Sequence, residues 1–163
     1  GPAKLPYIIH PLTMACHALA LGLAEDELIA TALLHDTCED CHILPEELPV
    51  NATVQEAVRR LSFFPEPGVE HSVARDRYFA RIPGNRIAVL TKLLDRCNNL
   101  SYMVYGFSRD KLLDYIEETE RAVMPLLTYA EENYPHDANA LFLLNYQMHS
   151  TMNSIRALLE REL

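Results

Sequence analysis

The chain has 163 residues, 49% of them hydrophobic, which predicts one domain with a sizeable core and excludes a disordered chain. With a net charge of −9, the chain has no broad basic surface of the kind that binds a nucleic-acid polymer, so we expect no such partner. No apolar run is long enough to span a bilayer and no signal-peptide pattern is present, so we expect no membrane partner. The four cysteines are then expected to be reduced thiols, as is typical of a cytoplasmic protein.

The first part of the chain predicts two short helices that lead to a polar segment. Pro11 suits the first position of a helix over 12–21, because proline lacks the N–H that this position leaves unpaired. The acidic residues 25–27 suit the first turn of the next helix, where the helix dipole favours negative charge. That second helix should deliver His35 and Asp36 near its C-terminal end.

The rest of the chain also predicts helices, and no alternating strand pattern of useful length is present. Asn51 or Thr53 could cap a helix through Leu61, and Pro125 should kink or split a long helix. Further helices are predicted at about 71–82, 85–102, 108–132 and 138–163. The last has an apolar stripe at helical spacing, formed by Leu141, Leu144, Met148, Met152, Ile155 and Leu159. We therefore predict an all-α, single-domain bundle over residues 1–163.

The segment that begins at His35 and Asp36 carries the most specific chemistry. These two residues end an apolar helical run, 28–34, and buried polar groups there need partners or a metal ion. His10 and Asp95 could supply further ligands from elsewhere in the chain. Two histidines and two aspartates form an oxygen-rich site, which suits Mn²⁺, Mg²⁺ or Fe²⁺ better than zinc.

The predicted helix through Asp95 adds cations beside the expected metal site. Lys92, Asp95, Arg96 and Asn99 are three or four residues apart and share one helix face, with leucines largely on the other side. Such a face suits a site at which a metal ion binds a phosphate ester. We expect two or three cations of a local basic patch to contact phosphate, although a solvated helix face would explain some of them: Arg75, Arg77, Arg81, Arg86, Lys92 and Arg96.

Three ordered motifs give the chain a family resemblance. They are Pro-Tyr-Ile-Ile-His-Pro at 6–11, Ala-Leu-Leu-His-Asp-Thr-Cys-Glu-Asp at 32–40 and Lys-Leu-Leu-Asp-Arg-Cys-Asn-Asn-Leu at 92–100. Together they resemble the HD-domain metal-dependent phosphohydrolases, and more specifically the hydrolase domain of RelA/SpoT homologues, which remove the 3′-pyrophosphate of (p)ppGpp. The resemblance covers roughly residues 5–100. It implies an HD-domain helical bundle, manganese as the metal and a small nucleotide as the substrate.

The resemblance also implies roles for individual residues. Glu39 and Asp40 match the family's Glu-Asp pair, which activates the attacking water and supports the metal from its second shell. Asn99 matches the asparagine that contacts the nucleotide, and Tyr7 matches the tyrosine of the first motif. With Lys92 and Arg96, which would neutralise charge on the phosphates, they form the expected substrate-binding set.

Some features depart from the family or stay outside its motifs. The family usually has a helix before the first motif, with a basic residue that packs on the guanine, and the nine residues before His10 do not contain it. Asn98 stands where many members have histidine. Cys38 and Cys41 form a lone Cys-x-x-Cys, which is weak evidence for a metal or redox site. His17 is expected to be a hydrogen-bonded core or flank histidine and not a ligand.

The leading hypothesis is a hydrolase that converts (p)ppGpp to GDP or GTP and pyrophosphate. One alternative is an HD phosphohydrolase for another nucleotide, such as NADPH. Another is a non-catalytic, nucleotide-binding regulatory module, although such a module has no need of a water-activating pair. A purely structural helical protein would require three motifs to coincide. The oligomeric state is left open.

Overall fold

Helices carry most of the described chain, which is residues 5–161 of a computed structural model. No β-strand occurs in those residues, which confirms the all-α prediction. The α-helices are α1 (Ile9–Ala20), α2 (Asp26–Leu34), α3 (Thr37–Cys41), α4 (Ala52–Leu61), α5 (His71–Ala80), α6 (Arg86–Tyr102), α7 (Arg109–Glu118), α8 (Met124–Asn133) and α9 (Ala138–Arg161).

Helix α6 lies at the centre of the bundle. It packs against α1, α2, α4, α8 and α9, and every residue from Ile87 to Asn98 is buried. Leu90, Leu93 and Leu94 are fully buried in the main core. The face predicted to be polar is therefore buried as well, so its charged side chains must find partners inside the protein.

The first helices follow the prediction with one shift in a boundary. Helix α1 begins at Ile9, three residues before the predicted start, and Pro11 lies within its first turn. The first N–H groups of a helix have no partner inside it, so the missing N–H of proline costs nothing at this place. Gly22 follows α1 with a φ of 80°, and Asn51 caps α4 through its side chain, as predicted.

The long helix predicted over 108–132 is split, as the position of Pro125 suggested. A π-helical turn, Thr119–Val123, separates α7 from α8, and the N–H of Met124 donates to the carbonyl of Thr119. Because a proline ring clashes with the carbonyl four residues earlier, the change in geometry falls before Pro125.

Helix α9 closes the bundle with its predicted stripe inward. All six residues of the stripe are buried against the rest of the protein. The predicted helix end at Leu163 lies outside the described residues. Within residues 5–161, none of the helices combines the length and apolar character needed to cross a bilayer.

Candidate active site

Three segments of the chain meet at one polar cluster on the side of α6. His10 comes from the first turn of α1, and Asp95 comes from the middle of α6. His35 and Asp36 lie in the break between α2, which ends at Leu34, and α3, which begins at Thr37. This break directs both side chains towards α6, and so the fold brings together all four residues predicted to bind metal.

The distances define a compact set of nitrogen and oxygen atoms. His10 Nε2 lies 2.9 Å from Asp95 Oδ1, and His35 Nε2 lies 3.1 Å from Asp36 Oδ2 and 3.4 Å from Asp95 Oδ1. One potential ligand atom each from His10, His35 and Asp36 lies within 4.8 Å of the other two. Imidazole nitrogen and carboxylate oxygen at such distances can surround a single divalent cation.

His35 provides a direct test of whether a cation fits. Its Nδ1 lies 2.8 Å from the carbonyl oxygen of Ala32, so Nδ1 carries a hydrogen and the neutral ring has a lone pair on Nε2. That Nε2 is buried and makes no hydrogen bond of good geometry to the described residues, although carboxylate oxygens surround it. A lone pair that faces two carboxylates requires a positive charge between them, and a metal ion supplies it.

The electrostatics of the cluster lead to the same requirement. Burial would lower the pKa of His35, but its contacts with Asp36 and Asp95 outweigh burial and raise the pKa to about 10. Burial would raise the pKa of Asp95, whereas Lys92, His10 and His35 hold it well below its ordinary range. The shift of His35 arises because two carboxylates attract a positive charge at this point, which a proton or a metal ion can supply.

Three side chains predicted to bind substrate contact the carboxylates of this cluster. Tyr7 Oη donates to Asp36 Oδ2 at 2.5 Å, and Lys92 Nζ donates to Asp95 Oδ2 at 3.0 Å. Asn99 Nδ2 donates to Asp95 Oδ1 at 3.0 Å. The three therefore hold Asp36 and Asp95 in position, and Tyr7, which is exposed, lies at the rim of the site.

A cavity of about 100 Å³ opens beside the cluster, with room for only a few water molecules of about 30 Å³ each. Glu39 lies in its wall, and its carboxylate accepts a hydrogen bond from the backbone N–H of Phe63. Burial raises the pKa of Glu39 against the effect of this hydrogen bond. The residues that line the cavity are His35, Asp36, Glu39, Leu61, Phe63, Arg75, Tyr78, Thr91, Lys92 and Asp95.

Two predicted site residues neither line this cavity nor form a side-chain hydrogen bond to the four candidate metal ligands within the described residues. Asp40 is exposed and does not line it. Arg96 is almost fully buried, and its guanidinium donates to the carboxylate of Glu118 at 2.6 Å and to the hydroxyl of Thr119 at 3.1 Å. The geometry therefore joins the Nη groups of Arg96 to the end of α7. Its buried Nε has no hydrogen-bond partner among the described residues, and Arg96 does not line the cavity.

The predicted basic patch does not form an open cationic surface. Each of its six cations has a partner among the described residues: Arg81 binds backbone oxygens, and the other five bind carboxylates. Only Arg75 and Lys92 of the patch also line the cavity. The number of its cations able to contact phosphate is thus small.

The side chains outside the motifs behave as structural groups. His17 Nε2 lies 2.8 Å from Gln147 Oε1, and His17 Nδ1 lies 3.0 Å from Asn98 Nδ2, which confirms a hydrogen-bonded flank histidine. Burial lowers its pKa. Asn98 thus links α6 to α1. Cys38 is buried and Cys41 exposed, and neither joins a group of metal-ligand side chains in residues 5–161.

Part of the cavity wall has no local signal in the sequence. Phe63 lies between the predicted helices that end at Leu61 and begin at about residue 71, yet its N–H donates to the carboxylate of Glu39. Tyr78 forms part of the aromatic wall, and its hydroxyl donates to the carbonyl of Leu61 at 3.1 Å. Glu118, which holds Arg75 and Arg96, has its partners far away in the sequence.

Comparison with curated proteins yields relatives of one kind. A guanosine-3′,5′-bis(diphosphate) 3′-pyrophosphohydrolase of Aquifex aeolicus is 32% identical over 126 residues, which cover 74% of this chain and 18% of the relative. A protein of the same name from Vibrio cholerae is 33% identical over 103 residues, covering 58% of this chain and 14% of the relative. A probable one from Synechocystis is 29% identical over 128 residues, covering 74% of this chain and 17% of the relative.

These relatives are much longer than the chain. It spans less than a fifth of each of them. No family model matches the chain. The relatedness therefore concerns one segment of larger proteins.

Proposed function

We propose that this chain, which is RelA/SpoT hydrolase-like by its similarity to these relatives, hydrolyses the 3′-pyrophosphate of guanosine alarmones in a metal-dependent reaction. The products would be pyrophosphate and GDP or GTP. We also propose that residues 1–163 act as one HD-type domain, that the substrate is a small nucleotide and that the protein works in the cytoplasm.

One observation carries the proposal. His10, His35, Asp36 and Asp95 converge around a buried nitrogen, His35 Nε2, that lacks a hydrogen-bond partner among the described residues. These four would hold the metal, which we propose to be Mn²⁺, with Mg²⁺ or Fe²⁺ as other oxygen-tolerant candidates. When bound, a divalent ion there polarises a phosphate oxygen and lowers the pKa of a water molecule.

The remaining residues of the site orient these ligands. The carbonyl of Ala32 fixes the ring of His35 with Nε2 towards the cluster. Lys92 and Asn99 bind the two oxygens of Asp95, and Tyr7 binds Asp36. Since three of the four ligands are held by residues outside the cluster, little reorganisation is needed when metal and substrate bind.

Glu39 is the proposed general base. It lies in the cavity wall together with His35 and Asp36, so a water molecule in the cavity is within its reach. Glu39 takes one proton from this water as the water oxygen forms a bond to the inner phosphorus of the 3′-pyrophosphate. The bond from that phosphorus to the ribose 3′-oxygen breaks, and a proton returns to the 3′-oxygen, which completes GDP or GTP and pyrophosphate.

The size of the cavity limits which part of the substrate it holds. A cavity of about 100 Å³ is too small for a whole nucleotide and is on the scale of a pyrophosphate group. We therefore place the 3′-pyrophosphate in the cavity and the nucleoside outside it, near the exposed rim at Tyr7. Lys92 is the proposed cation beside the inner phosphate, whereas Arg96 is left out of the phosphate contacts because Glu118 and Thr119 occupy it.

The proposal is tested by release of pyrophosphate from ppGpp with Mn²⁺ present, for the wild-type chain and for Asp95→Asn. We expect release by the wild type and a loss of at least about a hundredfold in Asp95→Asn, because the variant weakens the metal site. Arg77→Gln is the control, since Arg77 is exposed and, among the residues that the structure describes, forms an ion pair with Glu66 alone, at 3.0 Å. Bound metal is measured on all three proteins.

Two results would contradict the proposal. Equal release by wild type and Asp95→Asn would remove the metal site from the reaction. Manganese-loaded wild type that leaves ppGpp intact but dephosphorylates NADPH, run in parallel, would move the activity to another nucleotide.

A further inference from the structure

Arg75 is a cation of the cavity wall that the reaction above leaves without a role. It belongs to α5, and its half-buried side chain lines the cavity together with His35, Asp36 and Asp95. Lys92 is the other cation in the wall, and its Nζ is already bound to Asp95. Among the described residues, Arg75 is thus the cavity cation that no metal-ligand carboxylate neutralises.

The guanidinium of Arg75 is held from one side. Its Nε donates to Glu118 Oε2 at 3.2 Å, and its Nη2 donates to Glu118 Oε1 at 2.8 Å. Nη1 makes no hydrogen bond to the part of the chain that the structure describes. The arrangement therefore fixes the plane of the group and leaves two N–H donors available to a ligand.

Aromatic rings hold the same guanidinium from other directions. Its carbon lies 4.8 Å from the ring centre of Phe63, 5.0 Å from that of Tyr78 and 5.2 Å from that of Phe79. Cations at such distances are attracted to the faces of aromatic rings. Because Phe63 and Tyr78 also line the cavity, the rings keep Arg75 at its wall.

The cavity wall carries negative charge, so a polyphosphate needs a cation there to bind. Asp36, Glu39 and Asp95 contribute carboxylates to the wall, and these repel a polyphosphate. A metal ion at the cluster would offset part of that repulsion near the inner phosphate only. An outer phosphate needs its own partner, and an arginine with two donors available matches phosphate geometry.

We propose that Arg75 binds the outer phosphate of a substrate's pyrophosphate group in this cavity, with Glu118 as the positioning residue that orients it. The inference rests on the proposed function for the identity of the substrate. It makes Arg75 a determinant of specificity: the contact exists for a 3′-pyrophosphate and is absent for a 3′-monophosphate.

The test compares the affinity of two ligands, ppGpp and guanosine 5′-diphosphate 3′-monophosphate, measured by calorimetry with Mn²⁺ present. Both are titrated into Glu39→Gln protein, so that ppGpp stays intact during the measurement. We expect this protein to bind ppGpp at least about tenfold more tightly. Adding Arg75→Gln should weaken ppGpp binding by about ten- to a hundredfold and change binding of the monophosphate less than about threefold.

Matched variants separate this contact from a structural role. Arg75→Lys keeps the charge and should give an intermediate preference for ppGpp, and it replaces Arg75→Gln if the latter does not fold. Glu118→Gln should reduce the preference by a smaller factor. Arg77→Gln, an exposed neighbour on α5, should leave it unchanged.

The outcomes keep this inference distinct from the proposed reaction. Equal weakening for both ligands, no weakening, or failure of the Glu39→Gln protein to bind or to prefer ppGpp would overturn the role of Arg75. Absence of pyrophosphate release by the wild type, together with a preference for ppGpp that depends on Arg75, would instead overturn the reaction and leave this binding role standing.

Discussion

Glu39 and Asp40 are neighbours in the chain with different surroundings. Glu39 lies in the cavity wall and accepts a hydrogen bond from Phe63, whereas Asp40 is exposed and outside the wall. Burial raises the pKa of Glu39, and the closeness of Asp36 raises it further. Burial and Asp36 raise the pKa of Asp40 as well, so it is the position of Glu39 in the cavity wall that favours it as the base.

Exchange of each carboxylate for its amide separates the two roles. Glu39→Gln should lower kcat for pyrophosphate release by about 10²- to 10⁴-fold, because the amide cannot accept the proton of water. Asp40→Asn should lower kcat less than about tenfold. The checks are kcat, KM and bound manganese for both variants, and manganese content should stay that of the wild type. A larger loss in Asp40→Asn would assign the base to Asp40.

Residue-scale prediction succeeded where the chemistry is local in the sequence. His35 and Asp36 are adjacent and end an apolar run, and so their pattern alone marked a polar group inside the protein. Arg96 shows the limit: its spacing from Asp95 placed both on one helix face, but spacing does not show what packs on that face. Glu118 fills that position, and its partners lie 22 and 43 residues away along the chain.

At the scale of elements, Glu118 joins α5, α6 and α7. Its carboxylate accepts hydrogen bonds from Arg75 of α5 and Arg96 of α6, at the point where the π-helical turn begins. Arg96 also donates to Thr119 in that turn. Burial would raise the pKa of Glu118, but Arg75 and Arg96 lower it to about 2.

The contacts of Glu118 with Arg75 and Arg96 predict that the protein loses stability as the pH falls. Since the pKa in the folded state lies below the ordinary 4.5, the contribution of Glu118 is fully present above that pH and is lost as pH falls towards about 2. Glu118→Gln should therefore lower the free energy of unfolding at pH 7 by about 3 kcal/mol at most, and this difference should shrink by about a third between pH 5 and pH 3.5. Urea unfolding at pH 7, 5 and 3.5 measures both effects.

The neighbouring residue provides the control for this measurement. Glu117 is exposed on the same helix, so Glu117→Gln should stay close to the wild type at all three pH values. If the free energies of unfolding of wild type and Glu118→Gln differ by the same amount at every pH, the charge of the Glu118 carboxylate does not stabilise its contacts with Arg75 and Arg96.

The element boundaries show what the sequence can and cannot specify. Pro125 predicted a break in the long helix, but the break takes the form of a π-helical turn over Thr119–Val123, which is bound by Arg96 of another helix. Asn51 was identifiable as a cap because capping is local. The burial of both faces of α6 depended on five other helices, which no local pattern in α6 describes.

At the scale of the whole molecule, the candidate metal site ties together distant parts of the chain. His10 belongs to α1, His35 and Asp36 to the break between α2 and α3, and Asp95 to the central helix. A cation bound there would therefore bind the folded state and not the unfolded chain, in which these residues are far apart. Ligands of the folded state alone raise the free energy of unfolding with the logarithm of their concentration.

Thermal unfolding at several Mn²⁺ concentrations tests this coupling between metal and fold. Above the dissociation constant, each tenfold increase in free Mn²⁺ adds about 1.4 kcal/mol, which raises Tm by about 3 to 6 °C in a protein of this size. Asp95→Asn should show a much smaller rise, and Arg77→Gln should match the wild type. An equal rise in wild type and Asp95→Asn would place the bound metal elsewhere. A chelator should reverse the rise in the wild type, because the stabilisation depends on occupancy of a site built from three separate segments of the fold.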